Sequence, residues 1–176
     1  MRHPDRPPAS RASRPVVVQP GDGVEMHVLD ETATFKVGAA DMGGAFSLIE
    51  LATPPGGGVG LHANDSADAV LYVVEGVYAL RLGEQTTELG VGACALVPRG
   101  ILHAVTNAGP STARLLVFSA PATTPERLFI ELATLFASGA AGSPELAAAL
   151  GLVATARGVT LPTPPSAGSG GRARRG

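Results

Sequence analysis

The sequence predicts a mainly β protein, a β-barrel followed by two α-helices. Short apolar or alternating runs, separated by turn residues, follow one another from Val16 to Ser119, and such spacing is typical of sandwiches and barrels. After Pro121 the apolar side chains change to a helical period. The chain ends are rich in Pro, Gly, Ser, Ala and Arg, a composition typical of disorder. One domain is expected, divided into a disordered tail over 1–14, a β-barrel over 15–120, a helical extension packed on the barrel over 121–160, and a disordered tail over 161–176.

Turn residues divide the β-rich part into strands. Glu75-Gly76 and Gly83-Glu84 predict tight turns, and the Pro and Gly residues from Pro54 to Gly58 predict a loop. The segment from Tyr78 to Leu82 is therefore expected to pair antiparallel with its neighbours. The predicted strands are Val16–Val18, Glu25–Leu29, Ala33–Val37, Ala45–Leu51, Ala69–Val74, Val77–Leu82, Gln85–Leu89, Ala93–Val97, His103–Asn107 and Arg114–Ser119.

Two helices are predicted after the barrel. The first begins near Pro125, with Thr124 as its N-cap, and ends before Gly139. Its apolar stripe consists of Leu128, Leu132, Leu135 and Phe136. The second begins at Ser143 and runs to Arg157-Gly158. The apolar stripes are expected to pack against the barrel or against a second subunit.

The charge distribution argues against a nucleic-acid surface. Of the 13 basic residues, seven lie in the two tails, which leaves six basic and fourteen acidic residues between Pro15 and Gly171. The folded part therefore carries about eight net negative charges, whereas phosphate binding needs clustered cations. No nucleic-acid partner is expected.

The sequence also predicts the compartment. No uninterrupted apolar run approaches the ~20 residues of a membrane helix, so no membrane partner is expected. The single cysteine, Cys94, cannot form an internal disulfide, and no apolar segment follows the first arginines as in a signal peptide. Because Cys94 lies in the apolar run Ala93–Val97, it is expected to be a small buried hydrophobe. A cytoplasmic protein is the expectation.

A first motif of fixed spacing lies in residues 92–107. It reads G-x5-P-x-G-x2-H-x3-N and consists of Gly92, Pro98, Gly100, His103 and Asn107. Turn residues at both ends of a short apolar run place His103 at the start of a strand.

A second pattern precedes it, and together the two resemble the paired motifs of the cupins. The cupin pattern G-x5-H-x-H-x4-E-x6-G is met at Gly56, His62 and Gly76. Asn64 stands at the second His position and Ala69 at the Glu position.

The resemblance covers Val16 to Ala120 and is greatest to one subgroup of the cupins. Asp41 to Ser47, and the predicted helix at Pro125-Glu126-Arg127, look like small single-domain bacterial cupins labelled quercetin 2,3-dioxygenase-like. The resemblance implies a double-stranded β-helix, or jelly-roll, barrel that is usually a homodimer. It also implies a divalent transition metal (Mn, Fe, Ni, Co, Cu or Zn) that binds substrate, with O2 attack in the oxygenases.

The metal ligands that the resemblance implies are only partly present. His62 and His103 match ligand positions, Asn64 offers a neutral amide instead of imidazole, and Ala69 has no ligand atom. A catalytic metal site needs about three protein ligands, and the missing Glu is the anionic one. Metal binding is expected to be weakened or absent, so a weakly held metal and no cofactor at all both stay open.

Two carboxylates are candidate third ligands. Asp68 lies one residue before the Glu position, and Glu50 lies on another predicted strand. Regular alternation points Asp68 to the face opposite Ala69. Both faces of the run Phe46–Leu51 are largely apolar, so alternation does not assign a face to Glu50.

The interior site is expected to be an apolar small-molecule pocket. His62 and Asn64 share one strand face, and His103 can reach the same space. Either histidine can act as a metal ligand, as a catalytic acid or base near its ordinary pKa, or as a hydrogen-bonded pocket side chain. Asn64 either orients a substrate oxygen or is a structural partner. The side chains expected to contact substrate are Asn64, Leu71, Val73 and Val105.

Two functions of different classes follow. The first is a cupin that binds a small aromatic or polyketide-like molecule and uses His62 and His103 as an oxygenase or as an isomerase or cyclase. The second is a non-catalytic ligand-binding or structural cupin, because two metal-ligand positions are changed. The substrate itself does not follow from the fold.

Overall fold

The chain folds into a two-sheet barrel with a helical extension. The computed structural model describes residues 15–138 and 144–162. The elements of these residues are β1 (Val24–Val28), β2 (Glu31–Val37), β3 (Ser47–Thr53), β4 (Gly58–Asn64), β5 (Asp68–Glu75), β6 (Tyr78–Leu82), β7 (Gln85–Leu89), β8 (Cys94–Val97), β9 (His103–Asn107), β10 (Ala113–Ala120), α1 (Thr123–Ser138), α2 (Pro144–Ala156) and β11 (Val159–Thr160).

The strands form two antiparallel sheets around one core. One sheet has the strand order β1-β2-β3-β10-β5-β8, and the other has the order β11-β4-β9-β6-β7. All paired strands of the described chain are antiparallel, including β6 with β7 and with β9. The predicted mainly β jelly-roll barrel with two helices after it is confirmed.

Strand alternation determines which side chains enter the core. On β3, Ser47, Ile49, Leu51 and Thr53 are buried, and the side chains between them, including Glu50, are partly exposed. The sequence did not decide between these two faces, and the structure assigns the odd-numbered one to the interior. The core side chains come from both sheets: Ala33, Phe35, Ile49, Leu51, Leu71, Val73, Tyr78, Leu80, Leu89, Val97, Val105, Ala113 and Leu115.

Both predicted tight turns contain a glycine in a conformation that favours glycine. Gly76 and Gly83 have φ angles of 80° and 58°, a region that side chains other than glycine rarely adopt. The strands Gln85–Leu89 and His103–Asn107 have their predicted bounds. The predicted loop ends one residue early, because Gly58 already belongs to β4 and lies so close to β9 that a side chain would collide with the Val105 carbonyl.

Some expectations about single segments are wrong. The predicted strand Val16–Val18 is not a strand, and Val17 is 81% exposed, so the barrel begins at β1. Cys94 is exposed, because it points outward from β8, the edge strand of the larger sheet. The two-residue strand β11 was not predicted, since it directly follows the turn at Gly158 that ends α2.

The two predicted helices are present. Phe129 of α1 packs edge-on against the core residue Phe35, with ring centroids 5.9 Å apart, and Arg157 after α2 pairs with Glu131 of α1. Gly139 and Ser143, predicted as helix ends, lie outside the described residues, as do the tails 1–14 and 163–176. Neither helix, within the residues described, has the length and apolar character needed to cross a membrane.

Candidate functional site

Two histidines meet on neighbouring strands of the smaller sheet. His62 of β4 and His103 of β9 are directly opposite in the antiparallel register. His103 lies on the same face of β9 as the core residue Val105, so both rings face the barrel interior. Their centroids are 4.2 Å apart and the ring planes are tilted by 48°. His103 is the first residue of β9 and lies opposite Leu82, the last residue of β6, and we call this end of the two strands the mouth of the barrel. His103 is 4% exposed and His62 is half-buried.

Backbone hydrogen bonds select the same tautomer for both rings. His62 Nδ1 lies 2.8 Å from the Gly60 carbonyl oxygen, and His103 Nδ1 lies 2.8 Å from the Ile101 carbonyl oxygen. A carbonyl oxygen only accepts, so each Nδ1 must carry the hydrogen. In a neutral ring, Nε2 is then left with its lone pair. Each histidine therefore presents an acceptor on the side of its ring away from its own backbone.

Burial keeps both rings neutral. Desolvation, reinforced by His103, lowers the pKa of His62 to about 4, against the weaker opposing effect of the Gly60 carbonyl. Desolvation also lowers the pKa of His103, opposed by the hydrogen bond to Ile101. The sequence-based expectation of an ordinary histidine pKa is therefore wrong for both. At pH 7 the pair accepts protons or hydrogen bonds and does not donate through Nε2.

Ala69, one of the two positions that differ from the cupin pattern, lies in a row of small inward side chains. Ala69 of β5 is 6% exposed and lies beside Ser119 of β10, which in turn lies beside Ser47 of β3. Asn107, at the far end of β9 from His103, donates to the backbone carbonyl of Thr53, at the far end of β3 from Ser47. The small-residue row and the histidine pair therefore occupy the same end of the barrel.

Asn64 lies on the same strand face as His62 by alternation, two residues further along β4. Its backbone carbonyl accepts from Gly100 N at 2.8 Å, so it also ties β4 to the turn that leads to His103. A ligand role for its amide stays a prediction.

The two candidate carboxylates are held elsewhere. Asp68 accepts from the backbone N–H and the guanidinium of Arg99 at 2.8–3.1 Å, and these bonds lower its pKa to about 2. Glu50 lies on the outward face of β3, where it accepts from Arg114 at 2.6 Å and lies 3.6 Å from Lys36 Nζ.

The donor set does not fit a cupin metal. Across residues 15–138 and 144–162, no three His, Cys, Asp or Glu side chains are grouped so that they can hold a metal ion. A catalytic metal site needs about three protein ligands. The histidine pair supplies two, and Ala69 supplies none. The structure does not bring Asp68 or Glu50 to the histidines.

The predicted apolar contacts lie beneath the site. Leu71, Val73 and Val105 face inward as strand parity predicted, but all three are packed in the core at 7% exposure or less. Their contact with a ligand stays a prediction.

Sequence reasoning missed the apolar side chains at the mouth. Leu82 is directly opposite His103 on β6, and Ile101 and Leu102 immediately precede His103; they are 37%, 43% and 38% exposed. We call these three side chains the apolar lip. The signal was present in the sequence, because an apolar pair directly before the motif histidine lies in a turn, where polar residues are usual.

A separate buried polar cluster lies at the opposite end of the barrel. Tyr78 donates its hydroxyl hydrogen to Thr53 Oγ1 at 3.0 Å, and Thr53 donates to Glu31 Oε1 at 2.6 Å. Glu31 is 5% exposed, and burial raises its pKa in spite of the Thr53 hydrogen bond. This cluster ties β2, β3 and β6 together and is remote from the histidines.

Comparisons with known proteins agree with this architecture. Residues 50–119, which include both histidines, match the cupin domain model. No curated protein sequence matches the chain. A predicted oxalate decarboxylase from Thermotoga maritima is similar over 60% of this chain and 99% of its own, with 16% identity and a TM-score of 0.56.

Two further solved structures share the fold. The polyketide cyclase RemF from Streptomyces resistomycificus is similar over 61% of this chain and 80% of its own, with 24% identity and a TM-score of 0.54. A cupin-superfamily sugar phosphate isomerase from Silicibacter pomeroyi is similar over 59% of this chain and 74% of its own, with 18% identity and a TM-score of 0.53. At these identities the likeness concerns the cupin fold, which hosts different chemistries.

Proposed function

We propose that this cupin barrel binds a small planar molecule, aromatic or polyketide-like, at its mouth, with His62 and His103 as the polar contacts. The observation that carries the proposal is a pair of neutral imidazoles whose Nε2 atoms receive no hydrogen bond from the described residues, with the exposed Leu82 of the apolar lip opposite His103. Ligand sites combine such an apolar wall with a few placed polar groups.

The reaction class that fits this pair is proton removal, as in an isomerase or cyclase. A neutral imidazole can take a proton but has none on Nε2 to give. Because a base with a pKa of about 4 is weak, the reaction is restricted to acidic protons, such as those of phenols, enols and 1,3-dicarbonyl carbons. The polyketide cyclase among the structural relatives makes this class reasonable, although that likeness is one of fold.

The alternative is a non-catalytic ligand-binding or structural cupin. It is favoured by the change at Asn64 and Ala69, which removes two of the ligand positions of the cupin pattern. An oxygenase of the quercetin dioxygenase-like kind needs a metal, and the donor set of the described residues does not fit one.

Hydrogen exchange into a 1,3-dicarbonyl probe tests the proposal. We would follow deuterium uptake from solvent at the central carbon of 1-(2-naphthyl)butane-1,3-dione by NMR, together with line broadening of the aromatic signals on binding. His62→Asn and His103→Asn are the test variants, because asparagine can still donate to the backbone carbonyl but lacks Nε2. His27→Asn is the matched control, since His27 is exposed on β1.

Accelerated exchange that both test variants lose and the control keeps would support the isomerase or cyclase. Binding without accelerated exchange would support the non-catalytic alternative. No binding of the probe to the wild type would contradict the proposal.

We further propose a homodimer formed through the outer face of the larger sheet. Tyr72 and Leu96 are 44% and 62% exposed there. Phe46 stacks on Phe118 at 4.9 Å, and Val70 lies between Phe118 and Leu96 in the sheet. Apolar side chains that are adjacent on an exposed sheet are typical of protein contacts. Light scattering after size exclusion tests this: Leu96→Lys is expected to give a monomer, whereas Leu152→Lys, a control on α2 that is 73% exposed, is expected to remain dimeric. A monomeric wild type would contradict it.

A further inference from the structure

The histidine pair leaves two hydrogen-bond acceptors side by side. Each Nδ1 is used by the carbonyl two residues upstream, and no described residue donates to either Nε2. The rings are 4.2 Å apart, so the two lone pairs belong to one site and not to two. A ligand that covers both Nε2 atoms takes them out of water, so it must supply a hydrogen-bond donor to each.

The charge around the pair determines what can complete it. The basic side chains of the barrel are bound elsewhere. Lys36 binds the Asp22 carbonyl oxygen and Glu50, and Arg81 binds the Gly83 carbonyl oxygen. Arg99 binds Asp68, and Arg114 binds Glu50 and Glu75. On the helices, Arg157 is paired with Glu131, and Arg127 acts on the same carboxylate. A carboxylate or phosphate at the site would face two lone pairs and no cation from these residues, so its oxygens would lose their hydrogen bonds to water without replacement.

We propose that the ligand is a neutral arene or enediol with hydroxyl groups on two neighbouring carbons, each donating to one histidine Nε2, and that oxyanions are excluded. This inference rests on the proposed function and specifies its substrate class. The hydroxyl groups bind in their protonated form and donate their hydrogens to the histidines. In a metal site, by contrast, the ligand oxygen that binds the metal is an anion. The apolar lip then contacts the ring that carries them.

The choice of two neighbouring hydroxyls follows from the number of acceptors and from the 4.2 Å between the ring centroids. A single hydroxyl has one hydrogen and can satisfy only one Nε2, which leaves the other lone pair desolvated beneath the ligand. A second donor on the adjacent atom satisfies both. The ligand plane also covers Leu82, Ile101 and Leu102, which removes exposed apolar surface from water.

Two measurements on the full-length protein test the inference. The first compares the affinities of 2,3-dihydroxynaphthalene, 2-naphthol and naphthalene-2,3-dicarboxylate by calorimetry, for the wild type, His62→Asn, His103→Asn and the control His27→Asn. The second reads the histidine tautomers of the wild type directly from side-chain 15N shifts and two-bond couplings, which needs no ligand. Thermal unfolding checks that each variant is folded.

The expected result is that the dihydroxy probe binds at least tenfold more tightly than 2-naphthol and than the dicarboxylate. Each test variant is expected to reduce the preference over 2-naphthol to about onefold, because only one imidazole Nε2 remains at the site. The control is expected to keep the preference. The spectra are expected to show Nδ1–H tautomers at both rings.

Different failures separate the two proposals. Equal or tighter binding of the dicarboxylate, equal binding of 2-naphthol, or an Nε2–H tautomer at either ring overturns the inference and leaves the proposed function standing. If none of the three naphthalenes binds the wild type, both the inference and the proposed function are overturned.

Discussion

The combined substitution Asn64→His and Ala69→Glu is expected to create a metal site in this barrel. Residue 69 is inward, 6% exposed, and at the same end of the barrel as the histidine pair. Both histidines already have the Nδ1–H tautomer that leaves Nε2 free for a metal, held by backbone carbonyls as metal-ligating histidines are. Only the second imidazole and the carboxylate are lacking.

The magnitude follows from burying an unpaired charge. Without metal, the new carboxylate at residue 69 is expected to destabilise the fold by about 3 kcal/mol, because an uncompensated buried charge costs that much or more. A divalent metal at 100 times its Kd restores about 2.7 kcal/mol. At about 2–4 °C per kcal/mol for a chain of this size, the metal should raise the Tm of the variant by about 5–11 °C.

Scanning calorimetry with and without MnCl2 or ZnCl2 is the assay. Asn64→His with Ala69→Gln is the matched control, because it fills the same space without the anionic ligand, and its Tm should respond far less. If the wild type shows the same metal-dependent rise as the double variant, the assignment of a metal-deficient donor set is wrong. If the double variant does not respond, the placement of residue 69 at the same end of the barrel as the histidines is wrong.

Three further predictions concern stability. Glu31→Gln should be more stable than the wild type at pH 7.5. Because the pKa of Glu31 is raised in the folded protein, the fold favours its protonated carboxyl, and this contribution is complete below the unfolded pKa near 4.5. It is lost as the pH rises, by at most about 1.4 kcal/mol per pH unit. Urea unfolding at pH 4.5 and 7.5 measures this, and an equal difference at both pH values would contradict it. Leu29→Gly should stabilise by about 1 kcal/mol, because Leu29 has a φ of 58° in the β1–β2 turn, and a lower urea midpoint would count against this account. Ser47→Ala should stabilise by about 1 kcal/mol, since its fully buried Oγ has no hydrogen-bond partner, and a loss of stability in the same assay would show that the hydroxyl has one.

The barrel could be predicted from the sequence because turn residues and strand alternation recur along most of it. Strand parity and motif spacing also predicted that His62 and His103 reach the same interior space, and the structure brings them together on two neighbouring strands. Val16–Val18 has the composition of a strand but no partner strand in the described chain, and pairing is not encoded in a single run. Cys94 was misjudged because its run reads as buried, whereas β8 is an edge strand with one exposed face.

The chemistry of the site was less predictable than its residues. The face of Glu50 was undecided in the sequence because both alternating sets of its strand are apolar, and the structure assigns it by pairing with Arg114. The tautomers depend on carbonyls two residues upstream, and the lowered pKa values depend on burial. Neither property is visible without the positions of atoms in space.

The metal content of the purified protein tests the central claim that this site works without a metal. It is measured by elemental mass spectrometry on protein purified without an affinity tag, beside the His62→Ala/His103→Ala double variant. The donor set predicts far less than one transition-metal ion per chain, with the same low content in both proteins. Close to one ion per chain in the wild type, lost in the double variant, would contradict the claim.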